Sequence, residues 1–221
     1  MSERAVIIDR TRRRIVLATV LTAASPALLA QALLDDLAQA VGNDRVDEVR
    51  RLLARGMDPD SVDARGDTML CIAARNGSRG SVQALLRAKA RPDQPNRFGD
   101  TPLMLAALKG DLETVRVLVA GGASVNRPGW TPLIYAASGG HDDVVDFLLA
   151  QGADIDGASP NGTTALMMAV HESHPETARL LIGRGADVNH RNQDGATALA
   201  WARRGNEGDL VKELRRAGAR E

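Results

Sequence analysis

The residue types that do chemistry are sparse in this chain and gather in three sets. His171 and His174 stand three apart with Glu172 and Glu176 beside them. That spacing could hold a metal on one helix face, but a structural zinc site wants four ligands and no second ligand pair is evident. Pro175 also interrupts a helix there. Cys71, Met104 and Met167 offer soft sulfur, the ligand class of copper(I). As apolar side chains they fill core space equally well. Asp58 with Asp60, and Asp154 with Asp156, look like carboxylate pairs, yet Asp at such positions makes local turn hydrogen bonds. There is no Ser-His-Asp order, no phosphate-cradling glycine loop and no paired general acid and base. The chain therefore reads as no enzyme, with no catalytic residue, no metal and no cofactor. An accessory metal or redox-ligand binder is the rival reading.

The elements that must carry these residues recur at a fixed interval. Gly129 to Ala137 reads GWTPLIYAA, in which Thr131 can cap a helix with its hydroxyl and Pro132 suits the first helical turn. The same opening stands at Thr68, Thr101, Thr164 and Thr197. The steps from Thr68 to Thr101, Thr131 to Thr164 and Thr164 to Thr197 are each 33 residues. Such a period is the mark of a stacked repeat array. Each repeat reads as a short helix from the Thr, a second helix with inward Val and Leu, a glycine in the left-handed conformation, and an extended finger to the next Thr.

The stretches Asp100 to Asn126 and Trp130 to Asp156 carry a resemblance to the ankyrin-repeat family, and Arg65 to Gly77, Gly162 to Val170 and Arg184 to Ala202 add to it. It covers roughly Asp35 to the C-terminus. It implies an all-α ankyrin-repeat solenoid of stacked helix pairs with short finger loops, working by protein–protein interaction rather than catalysis. His141 and His174 fall where the family often has a His that braces the turn between helices. Cys71, Met104 and Met167 share the slot where it usually has His. The chain also resembles small exported ankyrin proteins of Gram-negative bacteria, which implies a role in periplasmic stress or peroxide defence. A secreted effector acting on a host stays open beside it.

Domain boundaries follow from the period. Residues 1–32 read as a signal peptide and 33–221 as the array: 33–62 a capping repeat, then 63–95, 96–128, 129–158, 159–191 and 192–221. The capping repeat keeps only the second half of the pattern, with Val46, Val49, Leu52 and Leu53 on one face. Arg10 to Arg14, the apolar run Ile15 to Ala24 and the small-x-small triplet Ala30-Gln31-Ala32 have the layout of a secretory leader. Cleavage is expected after Ala32, giving a periplasmic protein, or alternatively a secreted one. Thr11 to Leu17 looks like a twin-arginine signal without its usual Phe and Lys, so that route and the general secretory route both stay open.

The 221 residues carry 28 basic and 28 acidic side chains, with 2% aromatics against 44% hydrophobic residues. Residues 1–32 hold five Arg and two acids, so their loss leaves 23 basic and 26 acidic residues. A mildly acidic array without a basic stripe is no nucleic-acid binder, and none of it calls for a membrane once the leader is gone. The one cysteine, Cys71, excludes an internal disulfide and is expected in the core.

Two departures mark particular repeats. Lys89 stands where the others have the left-handed glycine, and Gly80 sits early in a second helix, so the first full repeat should be the weakest internal one. The finger from Asn126 to Gly129 spans three positions where its counterparts span six. A notch is expected beside it. Tyr135, Phe147 and Trp201 are expected to turn into the stack, Phe98 and Trp130 to face solvent. Arg97, Phe98, Leu108, Lys109, Trp130 and His171 are the expected partner-binding residues on the concave face of a monomer, a set of aromatics rimmed by cations.

Overall fold

The computed structural model describes residues 26–220, and the signal read over residues 1–25 lies outside them. The described residues hold twelve helices: α1 (Pro26–Gly42), α2 (Val46–Ala54), α3 (Met69–Asn76), α4 (Arg79–Arg87), α5 (Pro102–Lys109), α6 (Leu112–Ala120), α7 (Pro132–Ser138), α8 (Asp142–Ala150), α9 (Ala165–His171), α10 (Pro175–Gly183), α11 (Ala198–Arg204) and α12 (Gly208–Arg216). They contain no strand, only one antiparallel bridge from Val62 to Thr68. The odd helices α3 to α11 pack in sequence as one row and the even helices α2 to α12 as another. The chain divides into two units, residues 1–33 and 34–221. In the first, the described residues are helical, with Leu28 and Leu29 exposed.

The five Thr residues do what their sequence context demands. The hydroxyl oxygens of Thr68, Thr101, Thr131, Thr164 and Thr197 each accept the backbone N–H three residues on, at 3.2–3.4 Å. A cap of this kind is worth about 1 kcal/mol. Burying one leucine side chain contributes about 1.5–3 kcal/mol, and Leu85, Leu118, Leu148 and Leu181 all sit at zero exposure between layers. Packing between neighbours therefore outweighs local helix propensity.

The turn between the helices of a pair is the same six times. A backbone N–H reaches back five residues in Arg45→Ala40, Ser78→Ala73, Asp111→Ala106, His141→Ala136, His174→Ala169 and Glu207→Ala202. The capping unit is thus built on a helix pair, where the sequence pattern gave it only the second helix. Leu37, Ala40 and Val41 of α1 are buried, as are Val49 and Leu52 of α2.

After each second helix the chain turns in the left-handed region, at Gly56, Gly122, Gly152, Gly185 and Gly218, and at Lys89 with φ +70°. Lys89 does replace the glycine, in the conformation that L-residues resist. Gly80 has a different reason: a Cβ there would lie 2.4 Å from Val46 Cγ2. Its absence lets α4 close on the capping unit, where the N–H groups of Gly80 and Ser81 donate to the Asp44 carboxylate.

Candidate functional site

Four of the five fingers fold on themselves. In the finger of Asp63, the residue's own N–H donates to the Asp67 carbonyl at 2.9 Å and its carboxylate accepts the Arg65 and Asp67 N–H groups. Asn96, Ser159 and Asn192 each repeat the backbone bond four residues on. Their side-chain oxygens accept the N–H groups that close the loop. Neighbouring fingers then join, Arg97 N–H to the Gly66 carbonyl and Gln193 N–H to the Asn161 carbonyl, at 2.9 and 3.0 Å.

The finger from Asn126 to Trp130 has no room for that loop. Arg127 ties it to the finger before. Arg127 Nη1 donates to the Gly99 carbonyl at 3.0 Å and approaches Met104 Sδ at 3.8 Å. The expected notch is thus bridged on this side by a guanidinium. Asn126 accepts the Asp154 N–H and donates to the Gly152 carbonyl.

The six expected docking residues divide into two groups. Phe98 projects from the second finger with 69% of its surface exposed, and the Arg97 guanidinium lies over its ring at 4.6 Å. Leu108 and Lys109 end α5 and are both exposed. Trp130, 39% exposed, stands edge-on to Tyr135 with centroids 6.1 Å apart. It is half-covered, neither fully free nor folded away. His171 holds the slot of Leu108 two repeats further along: it packs edge-on against Trp201 at 5.2 Å, and its Nδ1 meets Glu172 at 3.0 Å. His171 and Trp201 line a cleft of about 340 Å³ with Val170, Ser173, Asp194, Arg204 and Gly205.

Tyr135, Phe147 and Trp201 do not turn fully into the stack; all three are half-buried. Tyr135 and Trp201 stand four residues after a capping Thr, in one column with Ile72, Leu105 and Met168. The column forms the finger-side face of the odd helices, and counting from the Thr would have found it. The Tyr135 hydroxyl donates to Asp100, and burial together with that bond raises its pKa above the ordinary phenol range. Phe147 lies beneath the Arg116 guanidinium at 4.6 Å.

A polar chain runs along this face. Arg75 grips buried Asp67 with two bonds of 2.6 and 2.7 Å. Asn96 Nδ2 reaches Asp67 at 3.2 Å and Asp100 at 3.4 Å, and Asp100 receives Tyr135. The Arg75 bond holds the Asp67 carboxyl below its usual pKa against the opposing effect of burial.

Family models of ankyrin repeats match residues 34–86, 72–159 and 156–220. The chain belongs to the ankyrin-repeat family. The ankyrin-repeat domain of human ASB11 superposes with a TM-score of 0.77 at 27% identity, over 83% of this chain and 84% of that one. An ankyrin-repeat domain from Acinetobacter baumannii AYE superposes with a TM-score of 0.73 at 30% identity, over 83% of this chain and 98% of that one. No curated protein matches the sequence. As an ankyrin-repeat protein the chain is a non-catalytic scaffold for protein–protein interaction.

The other chemical candidates are parts of the ankyrin frame. The Nε2 atoms of His141 and His174 each donate to a carbonyl one repeat back, at Leu108 and Ser138, both 2.9 Å. A carbonyl only accepts, so each ring carries its proton on Nε2. Gly110 must lack a side chain, since a Cβ would sit 2.4 Å from the His141 ring. Cys71, Met104 and Met167 are all core, and burial pushes the Cys71 thiol up to about 11. The carboxylates of Asp60 and Asp156 each accept the N–H 31 residues on, at Arg91 and Asp187, a ladder rung between repeats.

Proposed function

We propose that this ankyrin-repeat chain is exported, loses residues 1–32, and acts in the periplasm as a monomeric scaffold that grips one protein partner with its finger side. The observation that carries the binding reading is Phe98: a large aromatic side chain at 69% exposure, mounted on a closed finger with the Arg97 guanidinium over its ring. Leu108 and Trp130, also exposed, belong to the same and the next repeat. A few such anchors supply most of the energy of an interface. For export, the support is that residues 27–32 are all exposed while Leu37, Ala40 and Val41 are buried, so cleavage after Ala32 removes no core side chain. The twin-arginine and general secretory routes both fit, and a service in stress or peroxide defence follows from the resemblance.

Crosslinking in the periplasm, followed by capture of the chain, tests both halves. The captured protein should begin near Leu33 and carry a partner that is lost in Trp130→Ala or Phe98→Ala. A chain retaining residues 1–32 in the cytoplasm contradicts export. A partner kept by both variants contradicts the docking face.

A further inference from the structure

The charges on the finger side of the first three repeats are sorted by depth. Asp63 is turned onto its own finger, accepting two backbone N–H groups and pairing with Arg65. Asp67 is buried in the grip of Arg75. Asp100 takes Tyr135 and Asn96. Asp111 caps α6, accepting the Thr114 N–H at 3.1 Å and its hydroxyl at 2.7 Å. These four carboxylates are therefore committed to the frame, and Asp93, though exposed, accepts the N–H and hydroxyl of Ser124. Of the exposed cations, Arg65 and Arg75 pair with Asp63 and Asp67, whereas Arg97 and Lys109 are left over. Among the described residues, neither Arg97 nor Lys109 has a carboxylate partner. The last two repeats lack this sorting, with Glu172 and Asp194 exposed near His171 and Arg204.

We infer that the partner segment taken by the finger side of the first three repeats is acidic and apolar, a stretch of protein that mixes Asp or Glu with large hydrophobic side chains. The inference rests on the reading that this face docks a protein, and adds the chemistry of what docks. Phe98, Leu108 and Trp130 offer apolar anchoring, and Arg97 and Lys109 stand beside them with no internal counter-charge. A partner bringing its own carboxylates satisfies both at once, and like charge excludes basic segments. A nucleic acid fits less well, because the exposed cations are few and interleaved with an aliphatic Leu108, whereas such complexes need many phosphate contacts.

The test uses the purified chain and three fluorescent peptides of one length: Glu alternating with Leu and Phe, the same with Gln for Glu, and the same with Lys for Glu. The acidic peptide should bind best, weaken as salt rises, and lose about 10-fold or more in affinity to the double variant Arg97→Glu, Lys109→Glu. That variant changes only exposed positions, and unchanged circular dichroism and thermal midpoint check that it folds. No binding of the acidic peptide, equal binding of the Gln or Lys peptide, or its displacement by a single-stranded oligonucleotide overturns the inference. The crosslinked partner separates the two levels. If its capture needs Trp130 but ignores the double charge reversal, the docking face stands and its acidic preference falls.

Discussion

The finger around Asn192 and the finger from Asn126 to Trp130 start from the same frame and reach opposite solutions. The first closes on itself: the Asn192 side chain accepts two N–H groups of its own loop, and its backbone bonds to Ala196. The second is three residues shorter and is tied to the finger before it by Arg127, which donates to the Gly99 carbonyl, while Asn126 keeps the rung to the next repeat that Asn189 also makes. The position before the capping Thr changes with it. Asp67 and Asp100 hold it in the first two repeats, committed to polar partners, whereas Trp130 holds it in the third and stays 39% exposed. Shortening a finger thus turns a frame position into surface.

The largest test of that contrast is Trp130→Ala. It should weaken partner capture by about 2 kcal/mol or more, roughly 30-fold, with little change in denaturation midpoint. A mutant that unfolds instead would make Trp130 a frame residue like its Asp counterparts. Asp67→Asn probes the opposite character. It should lower stability at neutral pH by about 1.5–3 kcal/mol, since Arg75 loses its charged acceptor. The wild-type pair also sets a pH dependence. The folded carboxyl lies below its ordinary 3.8, so its contribution is full above that value and disappears as pH falls through the lower, folded one. Acid titrations of the two proteins should therefore converge, and parallel curves would remove Asp67 from the acid limb.

Smaller effects follow in the neighbouring repeats. Arg127→Ala should cost about 1 kcal/mol by freeing the Gly99 carbonyl and opening the bridged gap; hydrogen exchange should rise around Gly99 and Trp130, and no change there would mean the short finger holds itself. Lys89→Gly should stabilise by about 0.5–1 kcal/mol, because glycine accepts φ +70° without strain. Labelling of Cys71 at mild alkaline pH reads this directly. With the thiol buried and its pKa near 11, reaction waits on opening of the first full repeat. Lys89→Gly should slow it, and an unchanged rate would show that the strain is relieved elsewhere.

The frame was legible because its signals are local. A Thr hydroxyl reaching three residues on, or a positive-φ residue at the helix end, leaves its mark within one turn of sequence, and so the repeats and even Lys89 could be read. The surface was less legible because it depends on what stands one repeat away. Gly80 looked like a weakness until Val46 was seen against it. The helix face that carries Tyr135 reads as turned into the stack, but its hydroxyl has a carboxylate 35 residues away. Arg127 had no visible role until the missing residues of its finger left the Gly99 carbonyl within reach. The first helix of the capping unit was hidden for a different reason: its Leu37, Ala40 and Val41 follow directly on a stretch that reads as a leader and carry no Thr-Pro opening.

Hydrogen exchange of the chain with and without its crosslinked partner reads directly which face meets that partner. Protection should gather at residues 96–110 and 127–135, the second and third fingers with α5 and the start of α7. Protection confined to α4, α6 and α8, with those residues unchanged, would contradict it.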